Sequence, residues 1–196
     1  AGYNGRCALR NASGQFYGDY TIRQSLGNSL NIAAVKALYI NGIDNSLEIA
    51  HALGDKSYCK DSAGGLSIAI GSGCTVRLDE HANAFASISR GGSYKDLTYV
   101  LEIKNSTGEV IDKWNDSEGT RVYDEQVAYM ITNILSDPSA RTTTFGSQAT
   151  SFGFSVRNVK TASKTGTTTT ANSSTTKDSL MASYSPVVAT VVWNGN

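Results

Sequence analysis

The stretch from Val159 to Trp193, VKTASKTGTTTTANSSTTKDSLMASYSPVVATVVW, decides the architecture. It holds three strand-like segments, Val159 to Thr168, Ser179 to Ser183 and Val187 to Trp193. The polar run Thr169 to Asp178 separates the first two, and a Ser185-Pro186 turn separates the second two. Connections this short join neighbours in an antiparallel meander. The first strand carries Lys164-Thr165-Gly166-Thr167, a cation, two hydroxyls and a position without a side chain. That set suits the capture of a carboxylate. Lysine supplies charge, the threonines supply donors, and glycine lets a ligand lie against the backbone.

Upstream, from about residue 20 to 135, the apolar spacing turns helical. Thr21 to Leu26 reads as a short helix. Ile32 to Tyr39 reads as a second, with Ile32, Val35, Leu38 and Tyr39 on its buried face and Gly42 as its stop. Asn45, with Glu48 three residues on, resembles a capping box for a helix over Ser46 to Leu53, ended by Gly54. The apolar Leu66 to Ile70 lies between Gly64-Gly65 and Gly71-Ser72-Gly73. Leu78 to Ser89 reads as a buried helix that turns Ala82, Phe85, Ala86 and Ile88 inward and stops at Gly91-Gly92. Leu97 to Ile103 and Glu109 to Trp114 form a hairpin around Asn105-Ser106-Thr107-Gly108. Asp124 caps a helix through Leu135 whose core face is Val127, Met130, Ile131 and Ile134. Ser139 to Asn158 reads as a long polar connection. The fold class is α+β, a helical lobe followed by a small antiparallel sheet.

Composition excludes several function classes. Seventeen basic residues balance seventeen acidic ones, so no electrostatic footprint for nucleic acid or an anionic membrane appears. No apolar run approaches the ~18 residues that a spanning helix needs. Cys7, Cys59 and Cys74 match no zinc spacing. They read as isolated thiols, with a Cys59–Cys74 disulfide as the alternative. His51 and His81 lie far apart without companion ligands and read as helix-surface residues. No metal or other cofactor is expected.

The second chemical feature is Ser29-Leu30-Asn31, in the break between two helical stretches. Alone, Ser-x-Asn is a common cap or turn. Followed later by Lys164-Thr165-Gly166, it forms two of the three motifs of the serine penicillin-recognising enzymes. The surrounding sequence resembles that family as well. Thr21 to Lys36 is similar to the second-motif segment of bifunctional (class A) penicillin-binding proteins. Leu66 to Gly92, Ile134 to Arg141 with Phe145-Gly146, and Lys177 to Asn196 are similar to later landmarks of the same family.

The resemblance implies a serine-transpeptidase (β-lactamase-like) fold and acyl transfer on peptidoglycan stem peptides ending in D-Ala-D-Ala, with β-lactams as mimics of the donor. It implies that Ser29 relays a proton to the leaving amine and that Asn31 holds the substrate amide. Lys164 would set the electrostatics, Thr165 and Thr167 would bind the carboxylate beside Gly166, and the Thr167 N–H would be one oxyanion donor. It also implies an extracytoplasmic setting, with membrane attachment through other parts of a parent protein.

One departure stands out. The family's first motif, Ser-x-x-Lys, is expected ahead of Ser29, and none occurs there. Ser57-Tyr58-Cys59-Lys60 and Ser174-Thr175-Thr176-Lys177 match the pattern in the wrong order and read as chance matches. Residues 1–196 therefore read as a partial transpeptidase domain, truncated before the second motif, without its nucleophile and inactive by itself. The open edge of the last strand would allow an edge-strand dimer. Competing readings are a non-catalytic peptidoglycan-binding module, a Thr/Ser-rich adhesin, and D,D-carboxypeptidase or β-lactamase activity.

Overall fold

The computed structural model describes residues 9–61, 64–152, 159–169 and 175–195. Cys7, Ser174 and parts of two connections, 153–158 and 170–174, lie outside them. Five main helices precede the sheet: α1 (Ile22–Gly27), α2 (Asn31–Asn41), α3 (Ile43–Leu53), α4 (Leu78–Ser89) and α5 (Glu125–Leu135). Between α4 and α5 run four short strands. β1 (Ser93–Tyr94) pairs with β4 (Thr120–Arg121), and β2 (Glu102–Lys104) forms a hairpin with β3 (Val110–Lys113). The C-terminal sheet is the meander β5 (Ala162–Thr169), β6 (Thr176–Tyr184) and β7 (Ala189–Gly195), antiparallel and in that order. Its register sets Lys164 opposite Ala182 and Gly166 opposite Leu180. The α+β expectation holds.

α1 begins where Thr21 and Gln24 satisfy each other's backbone N–H groups, a reciprocal cap. The sheet lies against α4 and α5. Leu135 of α5, Ala162 of β5 and Tyr184 of β6 form one buried cluster, with Phe85 and Ile88 packed on it. A second cluster, Leu38, Cys59 and Ile68, fastens α2 to a 3-10 turn over Leu66–Ile70.

Several expectations need correction. α3 starts at Ile43 with Gly42 in the cap position, so Asn45 lies inside the helix and its side chain returns to the Asn41 carbonyl. On α2 only Leu38 is buried, and Tyr39 is 73% exposed, because one small cluster covers a single turn of that helix. On α5 the buried residues are Ala128, Ile134 and Leu135, while Val127 and Met130 face outward. The face is rotated toward Leu135, which reaches the sheet. α4 buries Asn83, Ala84 and Ser87, with Phe85 and Ile88 only partly covered. The hairpin strands are shorter than expected. The long polar connection is helical as far as Phe152, through turns at Pro138–Arg141 and Gly146–Phe152 around α6 (Thr142–Phe145).

The isolated-thiol reading is also overturned, since Cys59 and Cys74 are disulfide-bonded with Cα atoms 4.8 Å apart. Neither histidine is a bare surface residue. His51 Nε2 lies 2.7 Å from the Tyr58 carbonyl, and His81 Nδ1 lies 2.8 Å from Asp55. Among the described residues no helix is long and apolar enough to cross a membrane.

Candidate functional site

The site begins at the end of α1. Two backbone bonds close this helix, Ser29 N–H to the Leu26 carbonyl (3.1 Å) and Leu30 N–H to the Ser25 carbonyl (3.0 Å). Such a closure requires a left-handed residue just past the cap, a place usually taken by glycine. Here it is Ser29, at φ 57°. Outside glycine that conformation costs roughly 1–2 kcal/mol, and such strain gathers at functional positions. The turn lifts the Ser29 hydroxyl out of the helix path, while Leu30 is buried beneath it.

Asn28 fixes the turn. It is 2% exposed, and its amide donates to the Ala140 carbonyl at 2.9 Å. Thr144 N–H donates to Asn28 Oδ1 at 2.8 Å, and the Thr144 hydroxyl donates to the Asn28 carbonyl at 2.9 Å. Gly27 permits this close approach, since a Cβ there would overlap the Ala140 carbonyl. The segment 138–145 is thereby pinned to the back of the Ser29 turn.

β5 supplies the cation. Lys164 Nζ donates to Ser29 Oγ at 2.7 Å and to the Thr165 carbonyl at 2.8 Å. Burial, with a smaller contribution from the Arg141 charge, pulls the Lys164 pKa down to about 8. Arg141, only 5% exposed, donates to the Leu135 carbonyl; burial lowers its pKa as well. Both cations line a small cavity with Gly27, Phe145, Ser163, Thr165 and Met181.

The structure thus joins two of the expected residues, Ser29 and Lys164. Asn31, the first residue of α2, points its amide to the Arg10 carbonyl at 3.1 Å. Strand alternation sets Lys164 and Gly166 on one face of β5 and Thr165 and Thr167 on the other. All four therefore meet only along the strand edge that β6 leaves open. Gly166 is not demanded by the chain itself, as an added Cβ would meet Leu180 at an ordinary 3.5 Å. Ser57 lies elsewhere, with its hydroxyl accepting from Arg77 N–H at 3.0 Å beside α4. Sequence reading assigned no role to Gly27, Asn28 or Arg141. An asparagine at a helix end looks like any cap, and a single arginine in a polar stretch looks solvated.

Comparison with known proteins bears on this arrangement. The family model for the penicillin binding protein transpeptidase domain matches residues 9–196. Penicillin-binding protein 2a of Streptococcus pneumoniae is 30% identical over 173 residues, covering 88% of this chain and 22% of that protein. Penicillin-binding protein 1A of Clostridium perfringens is 28% identical over 200 residues, covering 95% and 26%. The chain thus spans about a quarter of the length of these relatives. Among solved structures, penicillin-binding protein PonA1 of Mycobacterium tuberculosis superposes with a TM-score of 0.83 at 22% identity, over 96% of this chain and 51% of that one. Penicillin-binding protein A of the same organism, as an imipenem acyl-enzyme complex, gives 0.77 at 22% identity over 98% and 47%.

Proposed function

This chain belongs to the penicillin-binding protein transpeptidase domain family, and from that premise we propose that its site serves D,D-transpeptidation of peptidoglycan. In that reaction a serine oxygen attacks the penultimate D-Ala carbonyl and the peptide bond breaks. Terminal D-Ala leaves after its nitrogen takes a proton. An amine of a neighbouring stem peptide then displaces the serine. Lys164 and Ser29 supply the proton relay to the leaving nitrogen. Thr165 and Thr167 hold the terminal carboxylate along the open edge of β5, and the Thr167 N–H donates to the oxyanion. Asn31 holds the substrate amide once it releases the Arg10 carbonyl.

The observation that carries this reading is the 2.7 Å contact between Lys164 Nζ and Ser29 Oγ. A buried ammonium bonded to a hydroxyl is the arrangement a proton relay needs. Gly166 adds support, because the chain makes no steric demand for it and a ligand against the backbone does. In the parent protein the site acts on the outer face of the plasma membrane, and β-lactams occupy it as acyl-donor mimics. Self-association through the open edge of β7 completes the proposal.

No Ser-x-x-Lys precedes Ser29 in this chain, so the 196 residues alone acylate too slowly to detect. Incubation with a fluorescent penicillin followed by a denaturing gel tests this. The expected result is no labelled band. A band whose label maps to Ser29 or Ser57 contradicts it and identifies a nucleophile within the chain.

A further inference from the structure

Two cations, the buried Arg141 and the partly covered Lys164, line the cavity behind Ser29; among the described residues neither makes an ion pair, and the acidic charge that acts on Arg141 is that of Asp137, itself paired with Arg23. That arrangement is costly, because buried charges are ordinarily paired. The two differ in one respect. A guanidinium does not release its proton in proteins, whereas a buried ammonium readily does. Their settings differ too. Arg141 is held from behind by the Leu135 carbonyl and stands in the turn that Asn28 and Gly27 clamp to α1. Lys164 faces forward onto Ser29. A fixed charge therefore lines the cavity that the lysine also lines, and a hydroxyl acceptor lies 2.7 Å from the lysine nitrogen.

We infer that Arg141 is a positioning residue of this site, its immobile guanidinium acting through Lys164 to drive the lysine proton toward Ser29. The inference rests on the transpeptidase reading above and adds a residue to it. When the leaving nitrogen takes the Ser29 hydroxyl proton, an Nζ–H bond of Lys164 breaks and that proton passes to Ser29 Oγ. Lys164 is left neutral and regains a proton from water after the leaving group departs. Arg141 lowers the cost of this step by repelling the ammonium. It touches no reacting atom itself. The depressed Lys164 pKa, to which the Arg141 charge contributes after burial, accords with the same geometry.

The test is a direct titration of Lys164 by NMR of side-chain-labelled lysine, its signal identified by its loss in Lys164→Met. In the wild-type chain the midpoint is expected near 8. Arg141→Gln keeps a donor for the Leu135 carbonyl and removes the charge, and it should raise the midpoint by roughly one unit. Arg141→Lys keeps the charge and should leave the midpoint low. An unchanged midpoint in Arg141→Gln overturns the proposal. So does an equal rise in Arg141→Lys, which would make the residue a packing element only. If Arg141→Gln does not fold, Arg141→Met, which also removes the charge, is titrated in its place, with a raised midpoint supporting the proposal and an unchanged one overturning it. The titration needs no substrate. Failure of stem-peptide capture and failure of this inference are therefore separate results.

Discussion

Ser29 accepts a hydrogen bond from Lys164 while its own backbone is held left-handed, so the hydroxyl at the centre of the site sits on a strained residue. The helix end there would be more stable with glycine, and the hydroxyl is retained at a cost.

That cost can be measured with two substitutions that both remove the hydroxyl. Ser29→Gly relieves the left-handed strain and Ser29→Ala does not. Denaturant unfolding should find the glycine variant more stable than the alanine variant by about 1 kcal/mol. Equal stabilities would mean that the turn is unstrained.

Lys164 makes stability depend on pH. Its folded pKa is depressed to about 8, while an unfolded lysine titrates near ~10.4. Between these values the unfolded chain binds more protons, so stability rises with pH across the window and is flat below it. The gain is on the order of 3 kcal/mol by pH 10.4. Burial raises the pKa of Tyr123 to about 12 and that of Tyr184 upward, which works the other way at the alkaline end. Both tyrosines remain in Lys164→Met, so the difference between the two proteins isolates the lysine. Parallel stability curves from pH 7 to 10 would contradict the assignment.

Asn28 is predicted to matter more than its type implies. Asn28→Ala leaves the buried Ala140 carbonyl and the part-buried Thr144 N–H without their partners. The cost should be about 2–4 kcal/mol, read from denaturant midpoints. A loss under 1 kcal/mol would show that the turn over 138–145 holds its place without Asn28.

The Cys59–Cys74 bridge closes a loop with a sequence separation of 15 and belongs to the small cluster that holds α2. Thiol titration in denaturant should count two more thiols after reduction than before. Reduction should cost about 3 kcal/mol, lowering the melting temperature by roughly 6–12 °C. An unchanged thiol count would contradict the bridge.

The parts legible in the sequence were those set by local chemistry. α4 spans Leu78–Ser89 as expected, because its periodicity ends at a glycine pair. The three-strand meander followed from β-branched runs joined by short connections, and Lys164 with Ser29 followed from motif order. What stayed hidden was decided by tertiary contact. α5 is apolar on more than one side, so its inward face was chosen by the reach of Leu135 to Ala162. α2 offered an apolar face of which only Leu38 is buried. The disulfide depended on the approach of two loops, which spacing alone does not encode. Arg141 became visible only when β5 brought Lys164 beside it.

Capture of a free carboxylate by Thr165 and Thr167, in the field that the Lys164 charge sets, is the central claim, and calorimetry reaches it most directly. A stem pentapeptide ending in D-Ala-D-Ala is titrated into the chain beside the same peptide closed as a carboxamide. The acid should bind at least tenfold more tightly than the amide, a difference of about 1.4 kcal/mol, and Lys164→Met should erase that preference. Equal binding of acid and amide, a preference that survives in Lys164→Met, or no heat from the acid at millimolar peptide would contradict the account.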